Sequence, residues 1–426
     1  MSLYDLFLSH PSAQTDTRKL KPGDIFFALK GGNFNGNQFA RQAVEAGAVC
    51  AVIDEEEYSI PGKTLLVPDV LTALQQLALQ HRRSLDIPFI AITGSNGKTT
   101  TKELIHAVLS TTFRTSTTEG NLNNHIGIPL TLLKVKHNDQ IAVVEMGANH
   151  QGEIADYCTY TEPTHGLINN VGKAHLEGFG GVEGVRKGKG ELFDYLRTQP
   201  AGTAFVNSDY DYLEQMSRGI PHIVRYGTGS GNLVQGTLIR AEPFLKLELQ
   251  HQQTQLLLET RLVGGYNLPN ILAAAAVGLH FGVALHDIKK AIEEYTPSNS
   301  RSQLVKLAQH DIILDAYNAN PSSMRLAIEN LVKLHADHKI LILGAMAELG
   351  AESITEHQAI LDLIAENKWE AVALVGGDFL RLRHPFLSFE NAAAAREWWL
   401  SQQFPPSHVL IKGSRSMQME QVLKPR

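Results

Sequence analysis

Residues 88–106 read Pro88-Phe-Ile-Ala-Ile-Thr-Gly-Ser-Asn-Gly-Lys-Thr-Thr-Thr-Lys-Glu-Leu-Ile-His106, and this stretch decides the fold class. The apolar run Phe89 to Thr93 predicts a buried strand, while Leu104, Ile105, Val108 and Leu109 follow helical spacing. A strand, a glycine turn and a helix in that order form a phosphate-binding loop. Gly94 and Gly97 let backbone N–H groups approach phosphate oxygens, and the opening helix adds the positive end of its dipole. Gly94, Ser95, Asn96 and Gly97 then form the cradle and Lys98 sits on the β- and γ-phosphates. Thr99 offers its hydroxyl to Mg²⁺, with Thr100 a second hydroxyl beside it. The loop is shorter than the common G-x-x-x-x-G-K-[ST] pattern, because Ile92 stands five residues before Gly97. A plain strand–turn–helix is the alternative, and the flanking elements favour the loop.

At 426 residues the chain is long for one core and predicts two or three domains. An apolar share of 43% and a charged share of 19% are those of a soluble globular protein, and a net charge of −6 argues against a nucleic-acid partner. Cys50 and Cys158 are too few for a disulfide framework and too isolated for zinc, so a reducing cytoplasm is expected. The N-terminal residues lack a basic leader pattern and no stretch approaches 18 apolar residues, so neither export signal nor membrane span is expected.

Residues 1–85 read as a small α/β unit with strands Ile25 to Leu29 and Val49 to Ile53 and helices Phe39 to Ala46 and Asp69 to Arg83. Its loops hold Thr17, Arg18 and the run Gly31 to Gly36, which are either ordinary turns or a close approach to a phosphate-bearing ligand. Residues 86–296 continue from the phosphate loop through a polar run, Thr115 to Asn124, to the strand Ile141 to Val144. That strand delivers Glu145 at its carboxyl end, where open α/β sheets bind ligands. A second strand, His165 to Ile168, leads to His175, which reads equally as a loop residue or a ligand. Arg186, Lys187 and Lys189 lie on a predicted helix, Val182 to Leu196, and read by composition as a solvated basic face. Alternation over Thr237 to Leu262 predicts β-ribbons. Asn267 and Asn270 open an alanine-rich helix, either as caps or as amides able to read a base edge. Residues 297–426 restart as a doubly wound unit with strands near 312–315, 339–343, 371–375 and 408–411.

Taken together, six blocks resemble the Mur ligases, ATP-dependent amide-forming enzymes of peptidoglycan synthesis, over essentially the whole chain. They are Thr93 to Thr100, Gly120 to Asn124 with Ile126 to Leu133, Glu145-Met-Gly-Ala-Asn-His150, Ala174-His-Leu-Glu-Gly-Phe-Gly180, Lys189-Gly-Glu-Leu-Phe193 and Asp315-Ala-Tyr-Asn-Ala-Asn-Pro321. The resemblance implies three domains: a UDP-sugar-binding α/β domain at 1–85, a central parallel-sheet P-loop ATPase domain at 86–296, and a C-terminal Rossmann-like domain at 297–426 that binds the incoming amine. The Asp-Asn-Pro-Arg sequence of diaminopimelate-adding members is absent, and Leu343 to Gly350 with Asn318 to Pro321 implies D-alanyl-D-alanine as that amine and UDP-MurNAc-tripeptide as its partner.

The same resemblance implies site roles. Glu145 and His175 stand where the family holds two Mg²⁺ ions, and Lys189 where it has a carbamylated lysine, which displaces the basic-face reading. Asn267 and Asn270 resemble the adenine-contacting pair, and Arg301 and Asp315 the contacts to ATP phosphate and ribose. Asn123, Asn124, Thr17 and Arg18 match UDP-sugar positions, and Asn318 and Asn320 fall on the amine side. Asp16-Thr17-Arg18, Asn35-Gly36-Asn37 and Ala345 depart from the family's usual Asp-Ser-Arg, Asp-Gly-His and Asp. A monomer is expected.

Overall fold

The computed structural model describes residues 2–298 and 300–425, an α/β chain built on three open sheets and one short hairpin. Phe89–Thr93 is a strand with the predicted bounds, buried along its whole length, which is why its sequence is a continuous apolar run rather than an alternating one. It lies inside a nine-stranded sheet. From one edge the order is Thr115–Thr117, Ile141–Glu145, Phe89–Thr93, His165–Ile168, Thr203–Asn207, His222–Gly227 and Val234–Arg240, all parallel. Lys246–His251 and Thr254–Glu259 then extend it as an antiparallel ribbon. The ribbons expected between 237 and 262 are therefore part of the central sheet. Because later strands are laid on both sides of Phe89–Thr93, its carboxyl end is a topological switch point, where such sheets open a crevice.

The polar run Thr115 to Asn124 departs from expectation, since its first three residues form an edge strand. All three are half-buried, so no apolar alternation marks them. On one face of the sheet the helix Lys98–Leu109 packs against Leu268–His280. Small residues let the two helices approach: a Cβ added at Gly278 would lie 2.5 Å from Val108 Cγ1, and Ala273, Ala274, Ala275 and Ala276 are buried alongside.

The N-terminal unit has four parallel strands, Ala13–Gln14, Ile25–Phe27, Cys50–Ile53 and Thr64–Leu66. A Cβ at Gly36 would overlap the Leu29 carbonyl oxygen, so this glycine serves the chain's own packing. The helix Val70–Arg83, capped by the Asp69 carboxylate, belongs as much to the next unit as to its own. It buries Val70, Leu74, Leu77 and Ala78 in the same apolar cluster as Ile128, Leu132, Val144 and Tyr157. Near its end the buried Arg82 donates from Nε to the Thr161 carbonyl at 2.8 Å, from Nη2 to the Glu162 carbonyl at 2.9 Å and from Nη1 to the Leu85 carbonyl at 3.2 Å. Its guanidinium lies 3.9 Å over the Phe89 ring.

The C-terminal sheet runs Gln303–Leu307, His310–Asp315, His408–Lys412, Lys339–Gly344, Ala371–Val375 and Leu387–Phe389, parallel except for the opening hairpin. Helices cover both faces in the Rossmann-like manner. Among the described residues no helix is long and apolar enough to cross a membrane.

Arg82→Met strands three carbonyls in a buried seam, and the expected loss is on the order of 3 kcal/mol of unfolding free energy. A urea titration followed by circular dichroism reads it, with Arg82→Lys recovering less than half because one ammonium cannot span three diverging acceptors.

Candidate functional site

A cavity of about 900 Å³ opens at the carboxyl end of Phe89–Thr93, between the central and C-terminal sheets. Ser95, Asn96, Gly97, Lys98, Thr99 and Thr100 form its floor. Gly97 is the N-cap of the helix beginning at Lys98 and has φ +80°, a left-handed backbone that ends the four-residue turn from the strand into the helix. A Cβ there would lie 2.6 Å from Asn270 Oδ1, so the turn needs glycine twice over, for conformation and for space. With no side-chain cap, the first-turn N–H groups have no partner inside the helix and open onto the cavity, an arrangement that suits phosphate. The Ser95 N–H donates to the Asn170 carbonyl at 2.9 Å and the Asn96 N–H to Asn170 Oδ1 at 3.0 Å. The loop after the neighbouring strand thus fixes the cradle from behind. Lys98 Nζ folds back to donate to the Gly94 carbonyl at 2.7 Å. Burial draws its pKa down, Glu145 opposes that, and Arg301 adds to it.

Thr99 and Glu145 meet. The Thr99 hydroxyl donates to Glu145 Oε2 at 2.9 Å, Asn123 Nδ2 donates to Oε1 at 2.8 Å, and the Glu145 N–H is held by Thr118 Oγ1 at 3.0 Å. Glu145 is only 1% exposed, and Asn123, matched by sequence to the UDP-sugar, here orients this carboxylate. Asn124 also lines the cavity, with its Oδ1 accepting from the Gly127 N–H at 2.8 Å. Thr17 and Arg18 are not among the lining residues. Arg18 is solvent-exposed and paired with Asp16.

Asn267 and Asn270 are not caps. Asn267 Nδ2 donates to the Val263 carbonyl at 2.8 Å, Asn270 Nδ2 to Asn267 Oδ1 at 2.8 Å, and the Thr101 hydroxyl to Asn270 Oδ1 at 3.0 Å. The capping reading fails because both amides turn inward, into a chain that ties the helix Leu268–His280 to the helix carrying the phosphate loop. Both still line the cavity.

From the C-terminal domain come Arg301, Asp315, Asn318 and Asn320. Asp315 Oδ1 accepts from the Ser302 N–H at 3.0 Å, and its other oxygen pairs with the buried Lys412. Asn318 Oδ1 accepts from the Ala319 N–H at 2.9 Å. Asn320 caps the helix Pro321–Lys333 with Oδ1, and its Nδ2 crosses to Asn96 Oδ1 at 2.8 Å, joining the C-terminal domain to the phosphate loop. His175 lines the cavity with Nδ1 against Glu348, and Lys173 pairs with Glu356, so the loop after His165–Ile168 grips the C-terminal domain at two further points.

Lys189 corrects the composition reading. It is 1% exposed on the inward face of the helix Val182–Thr198, while Lys187 faces solvent. Its Nζ donates to the Ala148 carbonyl at 3.0 Å and lies 5.1 Å from the Phe179 ring centroid. Burial first, and then the charge of Lys98, pull its pKa well below the ordinary lysine value. It sits behind the cavity wall at Ala148 rather than on the lining.

Some lining residues went unread. Asp209, Tyr210 and Tyr212 follow the strand Thr203–Asn207, while Lys412, legible as the polar end of the strand His408–Lys412, also lines the cavity. The strand-end rule that found Glu145 would have found the first three had Thr203–Asn207 been recognised. Among the described residues no group of three or more His, Cys, Asp or Glu side chains is placed to hold a metal. The hard oxygens of Thr99 and Glu145 beside a phosphate cradle nonetheless suit Mg²⁺, which keeps few protein ligands and completes its shell with phosphate and water.

The family model for the Mur ligase middle domain matches residues 92–278, that for the Mur ligase glutamate ligase domain 300–415, and that for the Mur ligase family catalytic domain 13–82. The UDP-N-acetylmuramoyl-tripeptide–D-alanyl-D-alanine ligase of Escherichia coli K12 is 36% identical over 420 residues, covering 96% of this chain and 92% of its own. The ligase of the same name from Bacillus subtilis 168 is 35% identical over 428 residues, with the same coverage. Among solved structures, MurF from Acinetobacter baumannii superposes with a TM-score of 0.87 at 33% identity, covering 97% of this chain and 92% of that one. MurF from Thermotoga maritima in complex with ADP gives 0.86 at 24% identity, covering 99% and 97%, a likeness of fold.

Gly97→Ala introduces a Cβ where φ is left-handed and Asn270 already stands. The expected result is at least a ten-fold weaker ATP affinity by calorimetry with an unchanged circular dichroism spectrum, while Gly32→Ala, where φ is not left-handed and a Cβ meets nothing within 4 Å, leaves affinity within about two-fold.

Proposed function

The chain belongs to the Mur ligase family, and from that membership we infer that it is an ATP-dependent ligase joining D-alanyl-D-alanine to UDP-MurNAc-tripeptide, giving UDP-MurNAc-pentapeptide for peptidoglycan synthesis. The observation that carries the reading is its near full-length likeness to ligases of that activity, 36% and 35% identical. The cavity geometry supports it, since a phosphate loop faces side chains from a separate C-terminal domain.

In this reaction the terminal carboxylate of the tripeptide attacks the γ-phosphorus of ATP, forming an acyl phosphate and releasing ADP. The amine of D-alanyl-D-alanine then adds to the acyl carbon and phosphate leaves, which closes the amide. The work of the protein is position and charge. The cradle from Gly94 to Thr100 holds the phosphates, and Lys98, released from the Gly94 carbonyl, spreads charge from the transferring group. Arg301 approaches the same phosphates from the C-terminal side, with Asp315 at the ribose. Asn267 and Asn270 stand on the adenine side of the cavity, each with one amide N–H left over from the internal chain to meet the base. Mg²⁺, when bound, supplies the hard positive charge that offsets repulsion between carboxylate and phosphate, and Thr99, Glu145, His175 and a carbamylated Lys189 would hold two such ions.

Carbamylation needs an unprotonated amine shielded from bulk water. The buried Lys189, with one carbonyl acceptor and a depressed pKa, meets that need. The domain roles follow: residues 1–85 with Thr17, Arg18, Asn123 and Asn124 for the UDP-sugar, 86–296 for ATP, and 297–426 with Asn318 and Asn320 for the amine. A single chain in the cytoplasm, where ATP and nucleotide-activated sugars are made, suffices.

Purified protein with ATP, Mg²⁺ and UDP-MurNAc-tripeptide should release phosphate in step with pentapeptide only when D-alanyl-D-alanine is supplied. Release driven instead by free diaminopimelate would reassign the amine, and Lys98→Ala should lower kcat by about 100- to 1000-fold. ¹³C-bicarbonate should give one protein-bound carbamate signal by NMR that Lys189→Ala removes. A spectrum without it refutes the carbamate and leaves the ligase reading standing.

A further inference from the structure

Arg301 is held in an unusual way. Its Cζ lies 3.6 Å over the centroid of the Tyr317 ring, and its guanidinium has no carboxylate or hydrogen-bond acceptor among the described residues. The flanking residues are locked. Ser300 has φ +56° and Ser302 φ +47°, both left-handed and both non-glycine. The Ser300 carbonyl accepts from the Tyr317 N–H at 3.2 Å, the Ser302 N–H donates to Asp315 Oδ1 at 3.0 Å, and the Ser302 hydroxyl lies 2.9 Å from the Tyr266 hydroxyl of the central domain. Backbone strain of this kind persists only where surrounding contacts impose it. Arg301 and Tyr317 both line the cavity with Lys98.

Stacking has a particular consequence for a guanidinium. It occupies the face of the planar cation and leaves the five N–H donors in the plane unspent, whereas a carboxylate partner would consume them. The ring therefore fixes the position of the cation without competing for the anion that the cation is to bind.

We propose that Tyr317 is a positioning residue that pre-orients Arg301 toward the ATP phosphates by stacking, through its ring and not its hydroxyl. The proposal rests on the reading of Arg301 as a phosphate contact. Order imposed before the ligand arrives lowers the cost of binding it, and lysine cannot replace arginine because an ammonium offers no face to stack.

The test is a double-mutant cycle on kcat/KM for ATP in the full-length enzyme, with KM for D-alanyl-D-alanine measured alongside. Tyr317→Leu should lower kcat/KM for ATP about ten-fold and leave KM for the dipeptide within about two-fold. Tyr317→Phe should stay within about two-fold of the parent on both. On an Arg301→Ala background Tyr317→Leu should cost nothing further, because the residue it positions is gone. A Tyr317→Phe loss as large as that of Tyr317→Leu would overturn the stacking role, and so would losses that multiply in the double variant. If Arg301→Ala alone leaves ATP kinetics unchanged, the phosphate assignment beneath the proposal falls, which the single variant distinguishes from a failure of stacking.

Discussion

The site depends on one backbone conformation, the left-handed Gly97. It closes the four-residue turn between a fully buried strand and a helix, aims the first-turn N–H groups into the crevice, and sets Thr99 2.9 Å from the Glu145 carboxylate on the adjacent strand. The same turn is backed by Asn270, itself bonded to Asn267 and Thr101. The floor that would take phosphate and the wall that would take a base are thus parts of one hydrogen-bonded block. A change on either side is felt on the other.

A second constraint lies in the loop after the strand His165–Ile168. Asn170 holds the phosphate loop by three bonds, while Lys173 and His175 reach Glu356 and Glu348 of the C-terminal domain. One short segment therefore touches both the cradle and the domain opposite it. His175 and Glu348 have φ +51° and +62°, left-handed values that non-glycine residues adopt only under constraint. The strain is concentrated where the two domains meet.

The fold was largely legible because its strands are buried on both faces and so spell out apolar runs. Phe89–Thr93 and His165–Ile168 carry their own boundaries in sequence, whereas Thr115–Thr117, a half-buried edge, carries none. The phosphate loop was legible for the same local reason, since strand, glycine and lysine are contiguous. What sequence could not supply was the direction in which polar side chains turn. Asn267 and Asn270 have the spacing of caps but point inward, Asn123 turns to a carboxylate 22 residues away, and Lys189 hides in a helix whose neighbour Lys187 is exposed. Each outcome is set by tertiary packing, which a helical or strand period does not encode. Only resemblance to a family flagged Lys189, whereas Lys412 is legible as the polar end of an apolar strand, and what the sequence leaves out is its partner Asp315, 97 residues earlier.

The two seams of the molecule differ in how their polar groups meet water. The first is helix laid upon helix with the guanidinium of Arg82 sunk among three carbonyls, and the second adds to its apolar contact the side-chain pairs Lys173–Glu356, His175–Glu348 and Asn320–Asn96. The helix Val70–Arg83 gives the first two units a shared apolar layer, with Leu74, Leu77, Ile128 and Leu132 in one cluster. The carbonyls around Arg82 have no solvent to turn to if that cation is lost, whereas Lys173 and Glu348, each 51% exposed, can each exchange a protein partner for water.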